Sequence, residues 1–182
     1  MNDKAKKVAA FGAREIATAA VATALLSGGK WALAAIPNVE VVTLLCAVYG
    51  YTLGLTGLVA VYAFVAIETA IWGFGSWVLT YFLHWPLVCV SFRLLALARK
   101  EPGRILPTVL AFALTVCFSL SSSLVDVTFF LGWEDLPARF AAYYLRGIPF
   151  YVAQVVCNLV LFPTLFPPLV RALRRVRALR SP

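Results

Sequence analysis

Ionisable and hydrogen-bonding side chains are scarce in this sequence, so those that interrupt its apolar stretches stand out as candidates for chemistry. Glu40, Glu68 and Asp126 border apolar runs, Lys30 and Arg146 are nearby cations, and Asn158 lies inside the last run. Trp31, Trp72, Trp77, Tyr81 and Trp133 fall at the same run ends. A charge beside hydrocarbon is costly unless it faces water, a partner or a cavity. Aromatic walls with a few convergent polar groups suit a planar or amphipathic small ligand. An interfacial belt of aromatics with solvated charges is the competing explanation. The pocket is favoured because most of these groups gather on one side of the expected bundle.

Covalent and metal catalysis find little support. The single histidine, His84, lies mid-run in YFLHWP, and neither HExxH nor GxSxG occurs. The hydroxyls of Ser119, Ser121, Ser122 and Ser123 have no base nearby in sequence, which suits packing between helices better than nucleophilic chemistry. Cys46, Cys89, Cys117 and Cys157 sit in four different apolar runs without a CxxC pair, and are expected to be buried, inert thiols. No phosphate-cradling loop is present. The chain is therefore expected to be a binder and not an enzyme, with no cofactor and no metal.

Composition names the setting for these residues. The chain has 182 residues, is 62% hydrophobic and only 13% charged, and has a mean hydropathy of +0.88. Soluble domains carry roughly 25% charged residues. Several apolar runs approach the ~20 residues that cross hydrocarbon as a helix. The expectation is an all-α, polytopic membrane protein: a single domain over residues 1–182. The net charge of +8 clusters at run ends, where anionic lipid and the orientation rule account for it without nucleic acid.

Six spans are expected, over about residues 8–26, 41–55, 57–71, 77–95, 105–125 and 147–170. The break between the second and third is placed near 55–57, and the polar stretch 126–146 is expected as a connection. Both basic termini then fall on the cytoplasmic side. Of the 16 Lys and Arg, only Lys30, Arg139 and Arg146 fall outside. The segment GGKWALAAIPNVEVVT, residues 28–43, is expected to leave the first span at the Gly28–Gly29 pair and to cover an outward-facing site. Ala13, Ala17, Ala20 and Ala24 form a small-residue series on the first span; it suits close approach by another helix, but on the residues alone ordinary packing within the bundle is favoured.

Three stretches carry a resemblance: GKWALAAIPNVEVVTLL (29–45), ETAIWGFGSWVLTYFLHWPL (68–87) and YYLRGIPFYVAQVVCNLVLFPTLFPPL (143–169). Together with the alanine-rich first span, the chain resembles the substrate-binding S components of energy-coupling factor vitamin transporters over nearly its whole length. The resemblance implies a plasma-membrane protein of a prokaryote that captures a vitamin-like micronutrient outside. It implies docking of Ala13, Ala17, Ala20 and Ala24 on a membrane coupling subunit driven by two cytoplasmic ATPases. Lys30, Trp31, Asn38, Glu40, Glu68, Trp72, Trp77, Tyr81, Asp126, Arg146 and Asn158 are the expected substrate contacts. The alternatives are a small membrane enzyme acting on a lipid or prenyl group, and an assembly subunit.

Overall fold

The computed structural model describes residues 11–178, all of whose regular structure is helical. Six helices follow in order: α1 (Ala13–Ala32), α2 (Val42–Leu53), α3 (Leu55–Trp72), α4 (Ser76–Ala98), α5 (Ile105–Leu131) and α6 (Leu136–Ala178). The first residues of the expected first span, and the basic residues Lys4, Lys6 and Lys7, lie outside the described part. Successive helices reverse direction, so the bundle has two ends. One carries the α1–α2, α3–α4 and α5–α6 connections; the other carries the α2–α3 and α4–α5 connections and the close of α6.

Polar and apolar side chains are distributed as in a protein solvated by hydrocarbon. Leu79, Leu83, Leu87 and Leu94 line an exposed strip of α4, while Thr80, His84, Thr115, Ser119, Ser123, Gln154 and Asn158 are buried. Water would favour the reverse. Among the described residues α3, α4, α5 and α6 are long and apolar enough to cross a membrane. The apolar α2, with 12 residues, is shorter. Its central position explains its composition: it packs against α1, α3, α4 and α6, and every residue but Leu45 is buried.

Glycine lets α2 sit there. A Cβ on Gly50 would lie 2.0 Å from the Cys89 carbonyl oxygen of α4, so the two backbones cross where a side chain cannot fit. The chain reverses from α2 to α3 in one residue, Gly54, with φ of 61°, a left-handed value that glycine reaches without a Cβ penalty. This places the break slightly before the expected 55–57.

Three other expectations need correction. Gly28 and Gly29 do not open a turn: α1 continues through both to Ala32. A Cβ on Gly29 would meet the Val41 side chain at 2.7 Å, so the absent side chain admits the returning strand of the loop. The stretch 126–146 is not a connection either. α5 runs on to Leu131, α6 begins at Leu136, and only a short turn lies between. Arg146 therefore stands inside α6 instead of opening a span. Finally, Cys117 is exposed and Cys157 half-buried, leaving only Cys46 and Cys89 as buried thiols.

Side-chain pairs join α6 to α5: Tyr143 donates to Asp126 at 3.0 Å, Tyr144 meets the Ser119 hydroxyl at 3.3 Å and Asn158 donates to Thr115 at 3.0 Å. Ser123 pairs with Tyr151 at 2.6 Å, so the serine cluster joins α5 to α6.

Candidate functional site

The end of α1 and the loop after it form one wall of a cavity of about 300 Å³. Leu33, Ala34, Ile36, Pro37, Asn38 and Val39 cover it, with Lys30 and Glu40 at the two ends of that segment. Val42, Phe64, Tyr81, Trp85, Phe118 and Gln154 complete the lining from α2, α3, α4, α5 and α6. Local hydrogen bonds shape the cover: Ile36 N–H donates to the Leu33 carbonyl at 3.0 Å, and Val39 N–H to that of Ile36 at 3.3 Å. Asn38 takes a φ of 57°, which asparagine tolerates better than most side chains.

Two polar anchors hold the cover down. At the α1 side, Lys30 forms an ion pair with Glu68, a fully buried carboxylate on α3. Trp31 Nε1 donates to the other Glu68 oxygen at 3.0 Å. The Lys30 ammonium also lies 5.5 Å from the Tyr81 ring centroid and 5.9 Å from that of Trp77, within reach of cation–π attraction. A buried carboxylate is tolerable here because a cation and an indole N–H both satisfy it.

At the α2 side, Glu40 caps the helix that follows. Its carboxylate accepts from the Thr43 N–H at 2.8 Å and from the Thr43 hydroxyl at 2.5 Å. Val41, the residue at the helix boundary, has no oxygen with which to cap, and a negative group near a helix N-terminus is favourable. Asn158 of α6 donates to Glu40 Oε1 at 3.2 Å and to Thr115 Oγ1 at 3.0 Å. One amide thereby ties the cover, α5 and α6 together.

The expected site residues divide accordingly. Lys30, Asn38, Glu40 and Tyr81 line the cavity; Trp31, Glu68, Trp77 and Asn158 stand behind its lining through the contacts above. Trp72 is 65% exposed at the end of α3, apart from the cavity lining. Asp126 belongs to a separate contact, accepting from Ser76 at 2.5 Å and from Tyr143 at 3.0 Å. Arg146 is exposed on α6. These three are not brought to the cavity.

Sequence reasoning missed Trp85, Phe118, Gln154, Phe64 and Thr115. A usable signal existed for two of them. Gln154 stands four residues before Asn158, and Trp85 four after Tyr81, so each shares a helix face with a residue already singled out. Trp85 and Phe118 stack with centroids 5.4 Å apart, and His84 packs edge-on against Trp85. Among the described residues Gln154 Oε1 and Trp85 Nε1 have no hydrogen-bond partner, leaving an acceptor and a donor uncommitted on two lining side chains. Buried polar atoms in that state call for a partner.

Ala13, Ala17, Ala20 and Ala24 are all exposed. The inward packing of α1 is done by Ala19, Ala22, Thr23 and Leu26, with Thr23 donating to the Ala60 carbonyl of α3 at 3.1 Å. The alanine series therefore lies on the exposed face of α1. No protein-family model, curated protein or solved structure matches this chain.

Proposed function

We propose that this chain is the substrate-binding subunit of a vitamin or micronutrient importer of the energy-coupling factor type, embedded in a prokaryotic plasma membrane. One observation carries the reading: the cavity of about 300 Å³ beneath residues 33–39, lined together by the Tyr81, Trp85 and Phe118 rings, the Lys30 cation and the Gln154 amide. Small-molecule sites combine mostly apolar walls with a few placed polar groups. A planar ring can lie against Tyr81, Trp85 and Phe118, with its polar edge toward Lys30 and Gln154.

Six membrane crossings with both termini cytoplasmic complete the proposal. Lys30, Arg139 and Arg146 share the cavity end with Glu40, Glu68, Asp126, Glu134 and Asp135, whereas Arg93, Arg99, Lys100, Arg104, Arg171, Arg174, Arg175 and Arg177 fall at the other. Basic residues favour the cytoplasmic side, so the cavity opens outward in this arrangement. The exposed alanines of α1 then offer the flat surface on which a coupling subunit, driven by two ATPases, would pack.

Mass spectrometry of small molecules released from gently purified protein tests the binding claim. A retained compound that rebinds stoichiometrically is expected. Failure to retain any compound, together with no binding from a panel of water-soluble vitamins, would sink it.

A further inference from the structure

The end of the bundle opposite the cavity holds a second recess, of about 870 Å³, where the α4–α5 connection meets the start of α5. Arg99, Lys100 and Arg104 line it together with the apolar Leu95, Leu106 and Val109. The connection is pinned from behind. The Tyr51 hydroxyl donates to the Arg99 carbonyl at 2.5 Å, and the Arg174 guanidinium donates to the Lys100 carbonyl at 2.5 Å. These bonds hold the loop backbone against α2 and α6 while its side chains stay exposed.

None of the three cations has an ion-pair partner among the described residues. Glu101, also in the wall, leaves a net charge of two positive. Beyond the basic rim, α5 continues as an exposed apolar strip through Ile105, Val109 and Phe112. A free anion would use only the rim. A phospholipid uses both, with its phosphate at the cations and its chains along the strip. We infer that this recess binds the headgroup of an anionic phospholipid. The inference rests on the membrane placement proposed above but not on the ligand cavity.

The test places the full-length chain in nanodiscs of phosphatidylcholine with a minority of phosphatidylglycerol, and weighs the lipids that stay bound after release into detergent. Each basic residue facing an anionic lipid contributes roughly fivefold, so a net two charges predict about a thirtyfold enrichment of phosphatidylglycerol over its share. The R99Q/K100Q/R104Q variant should lose the enrichment, and R171Q/R175Q, altered at the same end outside the recess, should keep it. If the triple variant does not fold, each single change should lower enrichment about fivefold. Bound lipid that mirrors nanodisc composition, or enrichment that survives the changes, overturns the inference. Displacement of phosphatidylglycerol by millimolar inorganic phosphate also overturns it, by showing a free-anion site. A chain that never enters nanodiscs overturns the membrane placement as well, whereas one that enters without lipid preference overturns this inference alone.

Discussion

Replacing Lys30 with methionine separates a structural ion pair from an incidental one. Glu68 is fully buried and the Lys30 side chain only 28% exposed, so the variant strands a carboxylate whose remaining partner is the Trp31 indole. Removing one member of a buried pair costs about 3–5 kcal/mol. The surviving indole bond and the partial exposure of Lys30 place K30M at the lower end, about 3 kcal/mol. E68M should cost less, about 1 kcal/mol, because the freed ammonium can swing to water on its long stem. With both groups replaced by methionine, the loss should shrink to within about 1 kcal/mol of the wild type. Equilibrium unfolding in detergent micelles, followed by the helical circular dichroism signal, measures all three variants and gives the coupling energy. The asymmetry between the single variants is the diagnostic. A K30M cost below about 1 kcal/mol, or a double variant as damaged as K30M, would refute the reasoning from burial.

Two glycines should respond in opposite directions. G50A forces a Cβ to 2.0 Å from a backbone oxygen and should cost about 3 kcal/mol or prevent folding, whereas G28A, with no atom within 4 Å of the new Cβ, should stabilise α1 by about 0.5–1 kcal/mol; unfolding midpoints report both. N158L removes the donor shared by Glu40 and Thr115 and should cost about 1–3 kcal/mol, with faster amide exchange at residues 39–43; unchanged exchange there would show that this amide does not anchor the cover. A20W/A24W alters two exposed positions, so the variant should unfold and bind ligand as the wild type does while losing uptake in cells that supply a coupling subunit and ATPases. Retained uptake would remove the alanine series from the docking face.

Much of the helical pattern was legible because apolar run length and charge are one-dimensional quantities. α4 differs from its expected limits by three residues at most, and α3 by two. Misreadings came where a local rule met a three-dimensional requirement. Gly28–Gly29 has the composition of a turn, yet Gly29 is needed small because Val41 returns against it, and nothing in the neighbouring residues announces that contact. The stretch 126–146 has the polarity of a loop, but Asp126 is matched by Ser76 and Tyr143, and hydrogen bonding to neighbours lets a polar segment stay helical. Arg146 and Trp72 were grouped with Lys30 by their level in the bundle alone. Level does not fix the direction in which a side chain points around its helix axis.

The same distinction explains why the cover is easier to recognise in the sequence than its floor. Lys30, Asn38 and Glu40 belong to one contiguous, polar and broken segment, so a single stretch of chain announces them. Gln154, Trp85 and Phe118 come from three helices and meet only after those helices have packed. Trp85 and Phe118 are ordinary identities for a core position, and Gln154 is a buried amide; the informative quantity is their convergence. Glu68 bridges the two cases. In sequence it is a lone carboxylate closing an apolar run, and its meaning emerges only with Lys30 and Trp31, 38 and 37 residues away. The ion pair joins the end of α1 to α3, and its Lys30 also lines the cavity, so one side chain both anchors the cover and faces the space beneath it. A bound anion that competes with Glu68 for Lys30 would therefore loosen the cover, whereas a neutral ring held by Gln154 and Trp85 would leave it shut.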